Sequence, residues 1–320
     1  MSISLKKEEL ADNLKALGIV EGDHLALGIS LKSLGLGEQA AEILFSSLQS
    51  VVGLRGTLVV PAFTKSCRYS EWRLKGAPVF NSETSAAYTG QFAEFMRLKP
   101  EAIRSSHPTN SIVAVGGAAR CLTQRHSKNA GAYSPYSTLA KLGGKSLSIG
   151  IGDNLVGLRH EAQYRAGLLT TFSAGIGCGI QCTGANTEWF ERPESSGCTS
   201  KLPILVQEMR EYGFVTDGKL FLADSIVVNI PHALDYMTTR LKDEPGGYLC
   251  SDIKCLWCRE TERILRISDR RAMYKSDSRW FSRCIPVGLR DLYVDSRNKL
   301  TLADSMLLAR VRSWKSEMLE

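Results

Sequence analysis

Apolar and helical patterns alternate along this chain. The run "HLALGI" (24–29) is continuously apolar and predicts a buried strand. "EQAAEILFSSLQSVVG" (38–53) places Ala41, Leu44, Leu48 and Val51 at helical spacing, with Gly53 as a stop. "GTLVVPAF" (56–63) predicts a strand that Pro61 weakens or ends. "TGQFAEFMRLKP" (89–100) predicts a helix closed by Pro100, and "SIVAVG" (111–116) and "KSLSIGIG" (145–152) predict strands. "LVGLRHEAQYRAG" (155–167) predicts a helix entered from the last of these. "LFLADSIVVNI" (220–230) reads as a strand pair or one interrupted strand, and "PHALDYMTTRLK" (231–242) opens a helix on a tolerated proline. The first nineteen residues read as a short amphipathic helix.

Interleaved strands and helices predict an α/β fold, a layered sheet flanked by helices. After "DEPGGY" (243–248) cysteines and arginines become dense and the periodicity weakens. We expect an α/β domain over 1–245 and a cysteine- and arginine-rich C-terminal extension, 246–320, packed on it.

With 320 residues, 43% of them hydrophobic, the chain can bury a large core. No apolar run is long enough to span a bilayer, and the start has no apolar signal region, so a cytoplasmic protein is expected. Nine cysteines then read as reduced thiols. Of the net charge of +7, residues 240–320 supply most, with 17 Lys+Arg against 12 Asp+Glu. This suits an anionic ligand near that end or, more simply, a solvated face. "RETERILRISDRRAMYKSDSRWFSR" (259–283) is basic but diluted by acids and matches no nucleic-acid motif, so no nucleic-acid partner is expected.

Three segments carry candidate chemistry. "SLKSLGLGEQAAEI" (30–43) runs from a small-residue turn into a helix. Backbone amides there, with Ser30, Lys32 and Ser33, suit a phosphate, although the segment has neither dinucleotide nor P-loop spacing and also reads as a plain loop. "RSSHPTNSIVAVG" (104–116) crowds hydroxyls around His107 at the mouth of a strand. Pro108 biases His107 to an extended conformation, and Thr109 and Ser111 are expected on one side of an extended chain. A structural role for His107 stays open. In "GIGDNLVGLRHEAQYRAG" (150–167) the helix puts His160 on one face with Gln163 and Tyr164, while Glu161 splays away.

Together these segments resemble the aminoglycoside 3-N-acetyltransferases of the antibiotic N-acetyltransferase family over roughly residues 5–240. "GDHLALGISLKSLG" (22–35) keeps that family's Ser30, Leu31, Ser33, Leu34 and Gly35. "GTLVVPAFT" (56–64), "RSSHPTNS" (104–111), "SPYSTLAKLGGKSLSIGIG" (134–152) and "HEAQYRA" (160–166) follow in the family's order. The resemblance implies acetyl-CoA as co-substrate, held by Ser30, Leu31, Lys32, Ser33, His107, Thr109 and Ser111, and a catalytic helix bearing His160 and Gln163. It implies transfer of acetyl to the amino group of an aminoglycoside or related amino sugar. A nucleotide- or lipid-linked amino sugar and a CoA-binding protein with little transferase activity are alternatives, and a homodimer is an expectation.

The departures are specific. Gly28 and Ile29 stand where the family has His-Ser, Gln163 replaces a glutamate, and "DNLVGLR" (153–159) replaces an Asn-Thr-Ser lead. Asp153, Glu161 or Glu188 are candidates to supply the missing carboxylate. Finally, Cys250, Cys255 and Cys258, with Cys284 downstream, could close a structural zinc site, but simple reduced cysteines are the preferred reading and no metal is expected.

Overall fold

The computed structural model describes residues 2–75, 79–168, 176–182, 186–192, 198–255, 258–259 and 262. Most of the expected 246–320 extension, including Cys284, lies outside them.

Helix α1 (Ile3–Ala16) begins where the Ser2 hydroxyl accepts the Leu5 amide. Then follow β1 (His24–Ile29), a 3₁₀ turn Leu31–Leu34, α2 (Ala40–Val52), β2 (Thr57–Pro61), β3 (Cys67–Arg68), α3 (Tyr69–Lys75), β4 (Val79–Phe80), α4 (Gln91–Arg97), β5 (Ile103–Arg104) and β6 (Ile112–Gly116). The second half comprises α5 (Ala119–Thr123), α6 (Ser134–Lys141), β7 (Lys145–Ile149), α7 (Leu158–Arg165), β8 (Ile176–Gln181), β9 (Thr187–Glu191), α8 (Leu202–Glu211), β10 (Val215–Leu220), β11 (Ala223–Asn229) and α9 (Ile230–Asp243).

The main sheet has seven strands in the order β10-β11-β7-β1-β2-β6-β5. Its centre is parallel, β1 pairing with both β2 and β7, and its two edges are antiparallel. Both faces are covered, which explains the continuous apolar runs. Leu25 and Leu27 face α1, α2 and α4, while Ala26 between them faces the opposite layer of α5–α9. Leu58 and Val60 against Val59, and Val113 and Val115 against Ile112 and Ala114, divide in the same way. The layered α/β expectation holds.

Three local readings need correction. The 220–230 segment is the second arm of a hairpin turning at Phe221 (φ 52) and Leu222, and its polar partner "VTDGKL" gives no strand signal of its own. The predicted helix at 155 starts only at Leu158, because Asp153, Asn154 and Gly157 hold a turn ahead of it. A second sheet centred on β8, with β3, β4 and β9, was not expected. Two of its strands are only two residues long, and β9 lacks a buried apolar face.

Candidate active site

The first and third segments meet at the carboxyl ends of β1 and β7. The Ser30 amide donates to Ile149 O at 2.9 Å. Ser33 Oγ donates to Ser30 O at 2.7 Å, closing the 3₁₀ turn, while Lys32 stays exposed and Leu31 packs against the core. Gly150 (φ +63) lets the two turns touch, since a Cβ there would lie 1.8 Å from Ser33 Oγ. Gly28 is filled from the other side. A Cβ on it would lie 2.1 Å from Val156 Cγ2 and 2.6 Å from Ile151 Cδ1. The 150–157 turn therefore occupies the space that a side chain at position 28 would take. Beside it, a cleft of about 40 Å³ opens between the ends of β1 and β2, lined by Gly28, Ile29, Pro61, Thr89 and Phe92 among others.

The second segment is more closed than expected. Residues 108–110 form a turn, so Thr109 and Ser111 do not share an extended face. Ser111, 0% exposed, donates to Ala62 O at 2.7 Å and accepts from Arg104 Nε at 3.0 Å. Ser105 Oγ accepts the Ile112 amide at 2.9 Å and bonds His126 Nδ1 at 3.0 Å. The Arg104 guanidinium also bonds the carbonyls of Ser85 and Ala62, and burial lowers its pKa to about 10. Many of the motif's polar groups thus build the strand mouth itself. His107 is fully buried, its ring stacked on His126 with centroids 4.7 Å apart. Its Nδ1 accepts the Asn110 amide at 3.0 Å, and burial, reinforced by His126 and Arg192, lowers its pKa to about 3. Both rings are held neutral, since burial also lowers His126 to about 4. Yet His107 Nε2, Thr109 Oγ1 and Asn110 Nδ2, all in this turn, have no hydrogen-bond partner among the described residues. Such orphaned groups are rare in a finished core and common where a polar ligand completes the set.

His160 lies on α7 and is 9% exposed. Its Nδ1 and Gln163 Oε1 are 2.9 Å apart, and its ring leans on Tyr133 at 4.9 Å. With the amide oxygen accepting, Nδ1 carries the proton and Nε2 presents its lone pair. Burial lowers the pKa to about 4. The bond to Gln163 opposes this, while the cations Arg159 and Arg192 add to it. Tyr164, expected on the same face, is 43% exposed and turned away.

None of the three candidate carboxylates serves His160. Asp153 pairs with Arg210 Nη2 at 2.6 Å. Glu161 is buried against Ser137 and Arg165. Glu188 lies exposed on β9. Arg192, missed in the sequence, follows β9 and reaches Asn110 Oδ1 at 3.5 Å. Its charge acts on both His107 and His160, so it connects the second and third segments. Nothing in "EWFERPESS" marks it, because its importance comes from where β9 ends.

A central parallel sheet, turns at its strand ends and a helix-borne histidine define an α/β scaffold of the kind that binds ligands beyond the carboxyl ends of its strands. Residues 27–242 match the sequence model of the aminoglycoside 3-N-acetyltransferases, and the chain belongs to that family. It is 35% identical to aminoglycoside N(3)-acetyltransferase III of Salmonella sp. over 171 residues, 49% of this chain and 59% of that protein. It is 30% identical to aminoglycoside N(3)-acetyltransferase VII of Streptomyces paromomycinus over 174 residues, 50% of this chain and 60% of that protein. The aligned part thus spans about three-fifths of these relatives. Among solved structures, the aminoglycoside acetyltransferase AAC(3)-IIb superposes with TM-score 0.65 at 27% identity, over 74% of this chain and 96% of that one. A binary complex of AAC-IIIb with CoASH shares the fold with TM-score 0.63 at 24% identity, over 74% and 96%.

Proposed function

We propose that this chain is an acetyl-CoA-dependent N-acetyltransferase, with His160 as general base and an aminoglycoside or related amino sugar as acceptor. The observation that carries the reading is the His160–Gln163 pair, on the helix that follows the 150–157 turn, which itself packs on the Ser30–Ser33 turn. Family membership, the names of the relatives and the CoASH complex of AAC-IIIb support it. Reduced thiols and the absence, among the described residues, of any helix able to cross a membrane fit action in the cytoplasm.

The acceptor nitrogen attacks the thioester carbonyl carbon, and the carbonyl oxygen becomes an oxyanion. The backbone amides of Leu31 and Lys32 are the candidate oxyanion donors, since those of Ser30 and Ser33 donate to Ile149 O and Ser30 O and the Ser111 hydroxyl is already engaged twice. His160 Nε2 takes the proton that the attacking nitrogen loses. The C–S bond then breaks, the CoA thiolate leaves, and the proton passes to it. Gln163 fixes the tautomer but supplies no charge to the imidazolium. A base at about 4 stays neutral in water at pH 7 but abstracts weakly.

That weakness favours one second reading, a CoA-binding protein with slow transfer. Acetyl-CoA titration followed by thiol release with aminoglycosides separates the two. Micromolar binding with turnover supports the transferase. Binding without turnover supports the second reading, and no binding at millimolar acetyl-CoA removes both.

A further inference from the structure

The sequence favoured plain reduced cysteines and named Cys284 as a possible fourth ligand for Cys250, Cys255 and Cys258. The fold supplies a different fourth residue. Cys198, fifty-two residues before Cys250, brings its sulfur to the same point. The four Sγ atoms all lie within 4.8 Å of one another. The edge of a tetrahedron with metal–sulfur bonds of about 2.3 Å is about 3.8 Å, so a small contraction closes the set on one ion. The sulfurs are unpaired and not at disulfide distance. Cys250 and Cys258 are buried, whereas Cys198 and Cys255 are half-buried. The Cys250 amide donates to Cys258 Sγ at 3.2 Å, a bond that stabilises a ligating thiolate.

A second observation points the same way. Arg159, next to His160 on α7, is 3% exposed, with one bond from Nη2 to Tyr248 O at 3.2 Å. Its Nε and Nη1 have no hydrogen-bond partner among the described residues. A buried cation with two unsatisfied donors is costly unless a negative charge faces it. The groups placed to favour that cation are Cys198, Cys250 and Cys258. Four thiols alone are neutral, whereas four thiolates around a divalent ion carry a net charge of about −2, which Arg159 would half neutralise.

We propose that Cys198, Cys250, Cys255 and Cys258 form a structural tetrathiolate zinc site that fastens the chain beyond α9 to the segment before α8, with Arg159 of the His160 helix as its counter-charge. Binding releases the four thiol protons to solvent and forms four Zn–S bonds with no redox change. A closed set of sulfur ligands leaves no position for water, so the ion holds structure and does not take part in catalysis.

The test is elemental analysis of the full chain, purified without chelators or metal-affinity resin. We expect about one zinc per chain, released in step with four thiols when a mercurial titrates them. Cys198→Ser and Cys255→Ser should each lose most of the metal, and Cys121→Ser, at an exposed cysteine, should keep it. Should the ligand variants prove insoluble, cobalt replacement in the wild-type chain gives the same answer through thiolate-to-metal charge-transfer absorption. Less than about 0.1 zinc per chain, iron in its place, disulfides among these cysteines, or full zinc content in both ligand variants would overturn the proposal.

Discussion

Two buried histidine sites, the His107–His126 stack and His160, share pKa values lowered chiefly by burial but differ in what engages their ring nitrogens. At His107 the ring nitrogen facing the backbone is an acceptor, engaged by the Asn110 amide, and a second imidazole covers one face. At His160 the corresponding nitrogen bonds a side-chain amide, and among the described residues no carboxylate or backbone group holds the ring. With Nδ1 accepting, His107 Nε2 carries the proton and is a donor without a partner among the described residues, whereas with Nδ1 donating to Gln163, His160 Nε2 keeps a lone pair that can take a proton. Burial alone does not distinguish a structural histidine from a reactive one, but the partner of each nitrogen does.

The comparison breaks most directly at His160. His160→Ala should lower kcat by about 10²–10⁴, an effect far larger than the stability lost with its buried ring. A loss under about fivefold would remove the base role. His107→Ala should do the reverse, costing about 2–4 kcal/mol of stability in urea unfolding, because it opens a cavity and strands the Asn110 amide. A variant of unchanged stability but lost coenzyme binding would place His107 in the ligand site instead.

The pH dependence of stability tests the shared property. His107, His126 and His160 have pKa values lowered to about 3, 4 and 4, against about 6.5 when unfolded. The unfolded chain therefore binds more protons between these limits. Stability is full above about pH 6.5 and falls as pH drops towards 4, by up to about 2 kcal/mol per histidine at pH 5. A flat denaturation midpoint from pH 7 to 5 would contradict the neutral, buried state of these rings.

The smallest expected effect sharpens the comparison. Gln163→Glu places a carboxylate on Nδ1 and should raise the His160 pKa by about 1–2 units, with a several-fold gain in kcat near neutral pH. His107 should not respond, which nitrogen-specific NMR titration of the two rings would show.

Much of this architecture was legible before the structure. Apolar runs at 24–29, 57–60 and 112–115 had to be strands buried on both faces, and Gly53 and Pro231 marked helix ends correctly. The His160–Gln163 contact followed from helical spacing. The rest depended on long-range geometry. Ser111 was a plausible ligand group until Arg104 and Ala62 were found engaging it. Asp153 was a plausible partner until Arg210 claimed it. Cys198 and Arg192 were invisible because each gains its neighbours from residues far away in sequence.

The packing of Val156 into the space above Gly28 has a consequence for substitution at either position. Val156 holds a φ of 39, a conformation uncommon for a β-branched residue, and its methyl group fills the place of a side chain at position 28. The two positions form a single packing unit. Gly28→His collides with Val156 unless the 150–157 turn is rebuilt in the same step. A change at either position alone therefore carries a packing cost that a matched change at the other would remove.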